Sequence, residues 1–113
     1  MKRNRKGHII NFASKSALSP TATYGGYALT KAGIHAYLKS LYKEMIEFNV
    51  KVTSICPGVV NTPMTQNMSI DDVKKIQITD ILNIVEMLLS LSHQASIKEI
   101  EIDCTDMINK PIF

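Results

Sequence analysis

The chain has 113 residues, which is enough for one domain at most, spanning residues 1–113. Its composition, 45% hydrophobic and 20% charged, is that of a globular protein and excludes a disordered one. The net charge of +3 is mild, and the apolar runs are too short for a signal peptide or a membrane span. We therefore expect a cytoplasmic protein that contacts no membrane.

Basic residues are concentrated at the N-terminus, where Lys2, Arg3, Arg5 and Lys6 account for four of the thirteen in the chain. Such a cluster is either a nucleic-acid or membrane contact or a solvated chain end. No aromatic side chains alternate with these charges, as a single-strand binding surface would require. We favour the solvated chain end and expect no nucleic-acid partner.

Cysteine and histidine residues form no metal-binding pattern in this sequence. Cys56 and Cys104 lie far apart, and His8, His35 and His93 are scattered along the chain. No pair has the spacing of zinc ligands, so we predict no metal site. Buried, unreactive thiols in a reducing compartment are the simplest interpretation of the two cysteines.

The first predicted element is a buried strand over residues 8–13, a short apolar run that follows Gly7. It leads directly to Ser14. Residues 14–25 are rich in serine, threonine, proline and glycine, a composition that predicts a loop.

A long helix is predicted over residues 26–47, because apolar residues recur there at helical spacing. The apolar stripe consists of Ile34, Leu38, Leu41, Met45 and Phe48. Tyr37, Tyr42 and Ile46 form a second apolar patch, which either packs on another subunit or lies on the surface. Asn49 is a suitable end for the helix because asparagine tolerates left-handed backbone geometry.

Three further elements follow in the C-terminal half. Residues 50–56 are rich in branched side chains and predict a strand. A second helix is expected from Ile81 to about Ser92, capped by Thr79 or Asp80. Residues 97–103 alternate in part between apolar and charged side chains, which is typical of an edge strand.

Strands that alternate with helices predict parallel pairing with right-handed crossovers. The expected fold is therefore α/β, a three-stranded piece of a doubly wound, Rossmann-like parallel sheet. An apolar strand at residues 8–13 without a neighbour on one side would be an aggregation template. For this reason we expect the chain to be a fragment or to need a partner.

Tyr27 and Lys31 are four residues apart and should share one face of the long helix. An ammonium group favours the phenolate and so lowers the pKa of a nearby phenol, which helps general acid–base catalysis. Ser14, at the end of the first strand, could direct a hydroxyl at the same pocket. The alternative is a surface lysine beside a half-buried tyrosine.

Three stretches in this order resemble the short-chain dehydrogenase/reductase family. They are residues 7–14 (GHIINFAS), 27–33 (YALTKAG) and 52–64 (VTSICPGVVNTPM). The resemblance is to the C-terminal half of that family. The glycine-rich turn that binds the cofactor diphosphate in the N-terminal half has no match here.

The resemblance implies an NAD- or NADP-dependent oxidoreductase that interconverts a small carbonyl compound and an alcohol. Tyr27 would be the general acid or base, Lys31 would also bind the nicotinamide ribose, and Ser14 would orient the substrate oxygen. The resemblance further assigns nicotinamide contacts to a short segment after the second strand. These residues are Pro57, Gly58, Val60 and Thr62.

The resemblance also implies a cover over the substrate at residues 64–79, where Met64, Met68 and Ile70 either form an apolar lid or pack on the core. A competing hypothesis follows from the missing glycine-rich turn. In this alternative the chain is a truncated, non-catalytic remnant that pairs with a second copy through the helix at 26–47.

Overall fold

The structure is a computed structural model in which residues 1–18 and 22–108 are described. The strands are β1 (Gly7–Phe12), β2 (Val50–Pro57) and β3 (Glu99–Ile102), and the α-helices are α1 (Gly25–Met45) and α2 (Ile78–Ser90). Single turns of 3-10 helix occur at Lys15–Ala17, Ile46–Phe48, Pro63–Thr65, Asp72–Lys74 and Thr105–Met107. The predicted loop at 14–25 falls partly on residues 19–21, which lie outside the described residues.

The three strands form one parallel sheet in the order β1-β2-β3. Gly7 is opposite Val50, and Ser54 is opposite Glu99. Because parallel neighbours need a crossover, α1 connects β1 to β2 and α2 connects β2 to β3. This architecture confirms the predicted three-stranded, Rossmann-like α/β sheet.

The core lies between β2 and α1. Val50 and Val52 of β2 are buried against Leu38 and Met45 of the predicted helical stripe. Leu41 and Phe48 pack partly against this cluster, whereas Ile34, the first residue of the predicted stripe, is exposed. The 3.6-residue periodicity therefore identified the buried face of α1, since residues four apart project from the same side.

The second apolar patch of α1 divides into two parts. Tyr42 packs against the core cluster, but Tyr37 is 67% exposed and Ile46 is 51% exposed. Leu29, two residues after Tyr27, is also exposed. The outer face of α1 thus carries apolar side chains that the described part of the chain does not cover.

The ends of the two helical regions were predicted from local sequence signals with different success. Asn49 has φ 65° and ψ 25°, the left-handed geometry that was predicted. The start predicted for α2 is wrong by three residues, because α2 begins at Ile78 with Gln77 as its N-cap. Asp80 is three residues inside the cap, and its carboxylate accepts a 2.8 Å hydrogen bond from the backbone N–H of Gln77.

The N-terminal basic segment contacts the C-terminal end of α1. Lys2 forms an ion pair with Glu44 at 3.2 Å, and Arg5 donates a 2.9 Å hydrogen bond to the carbonyl of Glu47. Cations at this end complement the partial negative charge of the helix dipole. In the part of the chain that the structure describes, no helix is both long and apolar enough to cross a bilayer.

A side-chain hydrogen-bond chain links the edge strand β1 to β2. His8 Nε2 lies 2.7 Å from Thr53 Oγ1, and Thr53 donates its hydroxyl proton to the carbonyl of Ile97 at 2.6 Å. Because that proton is committed to Ile97, the Nε2–H group of His8 is the donor to Thr53. Burial, and secondly the charge of Lys51, lower the pKa of His8 below its ordinary 6.5.

The lowered pKa of His8 predicts that the free energy of unfolding decreases as the pH falls below about 6.5. In that range the unfolded chain binds a proton more readily than the folded one, so protonation favours unfolding. Urea unfolding at pH 7.5 and 5.5 measures the effect. His8→Gln keeps an N–H donor without titrating and should lose less stability over this interval than the wild type. His93→Gln, at an exposed histidine, should behave like the wild type; an equal loss in His8→Gln would contradict the assignment.

Candidate active site

A cavity of about 650 Å³ opens where β1 and β2 end. In parallel α/β sheets, ligands bind beyond the carboxyl ends of the strands, so the position is a typical one. Every residue that the sequence assigned to catalysis or cofactor contact lines this cavity. They are Ser14, Tyr27, Lys31, Pro57, Gly58, Val60 and Thr62.

Tyr27 and Lys31 face the cavity from the first two turns of α1. Their spacing places them on one face of the helix, and Lys31 Nζ lies 5.7 Å from the centre of the Tyr27 ring. At this distance the ammonium is attracted to the ring. The pair is therefore arranged as the sequence predicted, with the cation next to the phenol at the cavity wall.

Ser14 reaches the cavity because it follows β1 directly, with an extended backbone at φ −157° and ψ 154°. Its Oγ accepts a 3.2 Å hydrogen bond from the backbone N–H of Ser16 and so caps the short helix Lys15–Ala17. This contact uses only the acceptor side of the hydroxyl. The O–H of Ser14 can still donate to an oxygen in the cavity.

Gly58 turns the chain away from β2, and its backbone N–H donates a 2.8 Å hydrogen bond to the carbonyl of Ile102. A Cβ atom at this position would lie 3.3 Å from the backbone nitrogen of Cys104. The family resemblance assigns this glycine to a nicotinamide contact. The close neighbour in the structure is instead the segment that follows β3, so packing at Cys104 is what limits the size of residue 58.

The segment after Thr62 forms one wall of the cavity and is held by buried polar contacts. Lys75, whose side chain is fully buried, donates hydrogen bonds to the carbonyl of Thr65 at 2.8 Å and to Asp72 Oδ1 at 2.7 Å. Thr65 in turn donates from Oγ1 to the carbonyl of Val60 at 2.6 Å. These contacts connect the wall to the turn after β2, and no local sequence pattern indicates them.

The predicted apolar lid is divided between the cavity and the core. Met64 and Met68 line the cavity. Ile70 does not; it packs against a buried cluster that includes Val59 and Ile76. The cover over the cavity is thus apolar through its two methionines.

Lys15 is a further charged residue at the cavity that sequence reasoning missed. Its ammonium forms a 2.6 Å ion pair with Asp103, just after β3. The charge of Lys15 is therefore largely compensated. Among the described residues that line the cavity, Lys31 is therefore the cation that can act on a ligand.

A second polar cluster, outside the cavity, was also missed because its members are far apart in sequence. His35 on α1 is 5% exposed; its Nε2 lies 2.6 Å from Glu99 Oε1 and its Nδ1 lies 3.3 Å from Ser54 Oγ. Cys56 Sγ is 3.9 Å from the same Nδ1. The four-residue spacing of Tyr27, Lys31 and His35 is the sequence signal that could have identified it.

His35, Cys56 and Glu99 bring possible ligand atoms within 4.8 Å of one another. The two nitrogens of the imidazole face different groups, however, with Glu99 at Nε2 and Cys56 at Nδ1. Burial, above all, raises the pKa of the Cys56 thiol and so favours its neutral form, whereas the thiolate is the form that binds metals. The cluster is therefore better described as a buried polar contact than as a metal centre.

Comparison with known proteins identifies the family. The sequence model of the short chain dehydrogenase family matches residues 1–73, which is more than half of the chain. The protein belongs to the short-chain dehydrogenase family.

The individual relatives agree with this assignment. An uncharacterized oxidoreductase of Staphylococcus epidermidis is 42% identical over 100 residues, covering 88% of this chain and 44% of the relative. The crystal structure of a betaketoacyl-[ACP] reductase from Bacteroides thetaiotaomicron superposes with a TM-score of 0.84 at 35% identity, covering 97% of this chain and 45% of that one. The chain thus spans less than half the length of these relatives.

A third similar structure is described with a bound nucleotide. The closed form of a serine dehydrogenase complexed with NADP+ matches with a TM-score of 0.76 at 24% identity, over 90% of this chain and 46% of that one. At this identity the likeness concerns the fold. The serine dehydrogenase thus shows that this fold occurs in a protein that binds NADP+.

Proposed function

We propose that the protein is an NAD- or NADP-dependent oxidoreductase of the short-chain dehydrogenase/reductase type, which interconverts a carbonyl compound and an alcohol. One observation carries the proposal: a single cavity collects Ser14, Tyr27, Lys31 and the turn from Pro57 to Thr62. In this proposal residues 1–113 form a single domain. That domain corresponds to the C-terminal catalytic half of the longer relatives.

Tyr27 is the group that moves the proton in this proposal. Its phenol lies at the cavity wall and can donate a proton to a substrate oxygen or accept one from it. Lys31, 5.7 Å from the ring centre, places a positive charge beside the site of proton transfer. Ser14 holds the substrate oxygen with its free O–H, so that the oxygen faces Tyr27.

The residues at the cavity fit a nicotinamide nucleotide. The cavity volume of about 650 Å³ is in the range of small-molecule sites. Lys31 and Tyr27 would bind the nicotinamide ribose, and the turn residues Pro57, Gly58, Val60 and Thr62 would contact the nicotinamide. When bound, the nucleotide supplies or takes up the hydride that no side chain here can provide.

The cavity favours a small, uncharged and mainly apolar substrate. Met64, Met68 and Ile81 contribute apolar side chains to its walls. Lys15 is paired with Asp103 and offers little to an anionic group. We infer that an apolar ketone or secondary alcohol fits better than a carboxylate or phosphate ester.

A second candidate function is pairing without catalysis. Leu29 and Tyr37 of α1 are exposed, as is Ile46 in the turn that follows it, which favours contact with a second copy of the chain. In this alternative the chain is a truncated remnant or a dimerisation module, and its cavity binds no nucleotide.

Nucleotide titration distinguishes the two candidates. We expect the wild-type chain to bind NADH or NADPH by fluorescence titration and to oxidise it in the presence of apolar ketones, followed by absorbance. Lys31→Met should weaken nucleotide binding roughly tenfold, because a charged hydrogen bond contributes about 1.5–3 kcal/mol. Lys43→Met, at an exposed lysine of the same helix, should bind like the wild type. A folded chain that binds neither nucleotide and sediments as a dimer would contradict the oxidoreductase and favour pairing.

A further inference from the structure

The N-terminal half of α1 has few apolar contacts to fix its rotation. The buried side chains of α1 are Ala28, His35, Leu38 and Met45, and of these only Leu38 and Met45 belong to the apolar cluster. The first turn begins at two glycines and has no side-chain cap. Between Tyr27 and Leu38, Ala28 and His35 are the buried side chains among the described residues, and this part of the helix also packs against the turn at Lys15–Ala17.

His35 lies on the same helical face as the catalytic pair. Tyr27, Lys31 and His35 follow one another at intervals of four residues, so a rotation of the helix that moved one would move all three. Tyr27 and Lys31 line the cavity, and His35 continues this face into the protein interior.

The groups that hold His35 come from both neighbouring strands. Ser54 on β2 and Glu99 on β3 are opposite each other in the parallel register, and the imidazole contacts both. The 2.6 Å contact with Glu99 and the 3.3 Å hydrogen bond with Ser54 engage the two ring nitrogens separately. Such two-point contact fixes the direction of the ring, which apolar packing alone would not.

We propose that His35 and Glu99 are positioning residues, whose close polar contact fixes the rotation of α1 so that Tyr27 and Lys31 face the cavity. The structural part of this inference depends on the contacts alone, and its catalytic consequence rests on the proposed function. When the carboxylate is replaced, the buried imidazole loses the group at Nε2, and the first half of α1 loses its main directional contact.

Glu99→Gln tests the proposal by amide hydrogen exchange. We expect exchange to accelerate roughly tenfold or more over residues 28–35, and to change little over 38–45, because only the first half depends on the contact between His35 and Glu99. Glu101→Gln removes the same charge from an exposed position on the same strand and should leave both halves unchanged. Uniform acceleration along α1, or none, would overturn the proposal.

His35 variants separate the polar contact from packing. His35→Arg supplies several N–H donors that can reach Glu99, and should preserve slow exchange over 28–35. His35→Leu fills the space without a polar group and should behave like Glu99→Gln. If leucine protects these amides as well as arginine does, packing explains the site and the proposal is wrong.

The enzymatic readout is the division between kcat and KM. Misplacement of Tyr27 should lower kcat of Glu99→Gln about tenfold or more with a smaller change in nucleotide KM, and His35→Arg should recover much of the loss. A wild-type chain without turnover would count against the proposed function, whereas the exchange pattern would still decide the role of His35 and Glu99. Normal kcat in Glu99→Gln despite faster exchange would overturn the catalytic consequence.

Discussion

Tyr27→Phe is expected to reduce kcat by about 10²- to 10⁴-fold, the usual contribution of a positioned general acid or base. The substitution removes one oxygen and leaves the ring, so the contact with Lys31 at 5.7 Å can persist. Because the Tyr27 hydroxyl would also bind the nicotinamide ribose, nucleotide affinity should weaken as well, by about 1 kcal/mol for one lost hydrogen bond. The measurement is steady-state oxidation of NADH or NADPH with a ketone that the wild type reduces.

Tyr37→Phe is the matched control for this substitution. Tyr37 lies on the same helix but is 67% exposed and does not line the cavity. Its kcat should equal that of the wild type. Turnover that survives in Tyr27→Phe at the wild-type rate would contradict the assigned role of the phenol, and another group would have to transfer the proton.

The elements that the sequence predicted correctly are those with strong local signals. Branched and apolar residues predicted a strand at 50–56, and β2 is observed at Val50–Pro57. Helical periodicity predicted 26–47, and α1 extends over Gly25–Met45 with one 3-10 turn after it. The parallel order of the sheet followed from the alternation of strands and helices.

The features that were missed depend on tertiary contacts. Lys74 and Lys75 are adjacent in a polar run, yet Lys75 is buried because its ammonium meets the carbonyl of Thr65 and the carboxylate of Asp72. Nothing in the local sequence distinguishes the two lysines. Similarly, α2 begins at Ile78 because Gln77 and Asp80 cap it, an arrangement that the threonine and aspartate alone did not indicate.

The candidate site was largely predictable because its residues form short motifs at the ends of predicted elements. Ser14 follows a strand, Tyr27 and Lys31 share a helix face, and Pro57 ends the next strand. Elements of a parallel sheet bring such positions to one edge. His35 and Glu99 could not be paired in this way, since the contact depends on the register between β2 and β3.

Ile55→Ala is expected to produce the largest loss of stability. Ile55 has no exposed surface and lies in the central strand, opposite Phe12 of β1 and Ile100 of β3. Truncation of a buried isoleucine typically costs about 2–5 kcal/mol, because contacts are lost and a cavity remains. That is a large part of the roughly 5–15 kcal/mol that stabilises a natural domain. Urea and thermal unfolding should both show a marked decrease in the midpoint.

Val73→Ala provides the comparison for this loss, since Val73 is 87% exposed and its truncation should change stability by less than about 0.5 kcal/mol. Similar midpoints for the two variants would mean that β2 is not the centre of the core.

Ile55 also immediately precedes Cys56 and Pro57, so its truncation should disturb the turn at the cavity. If the nucleotide binds this turn, its addition should raise the unfolding midpoint of the wild type, because a ligand that binds only the folded state stabilises it. In Ile55→Ala the same nucleotide concentration should produce a smaller increase, since a displaced turn weakens the binding on which that stabilisation depends.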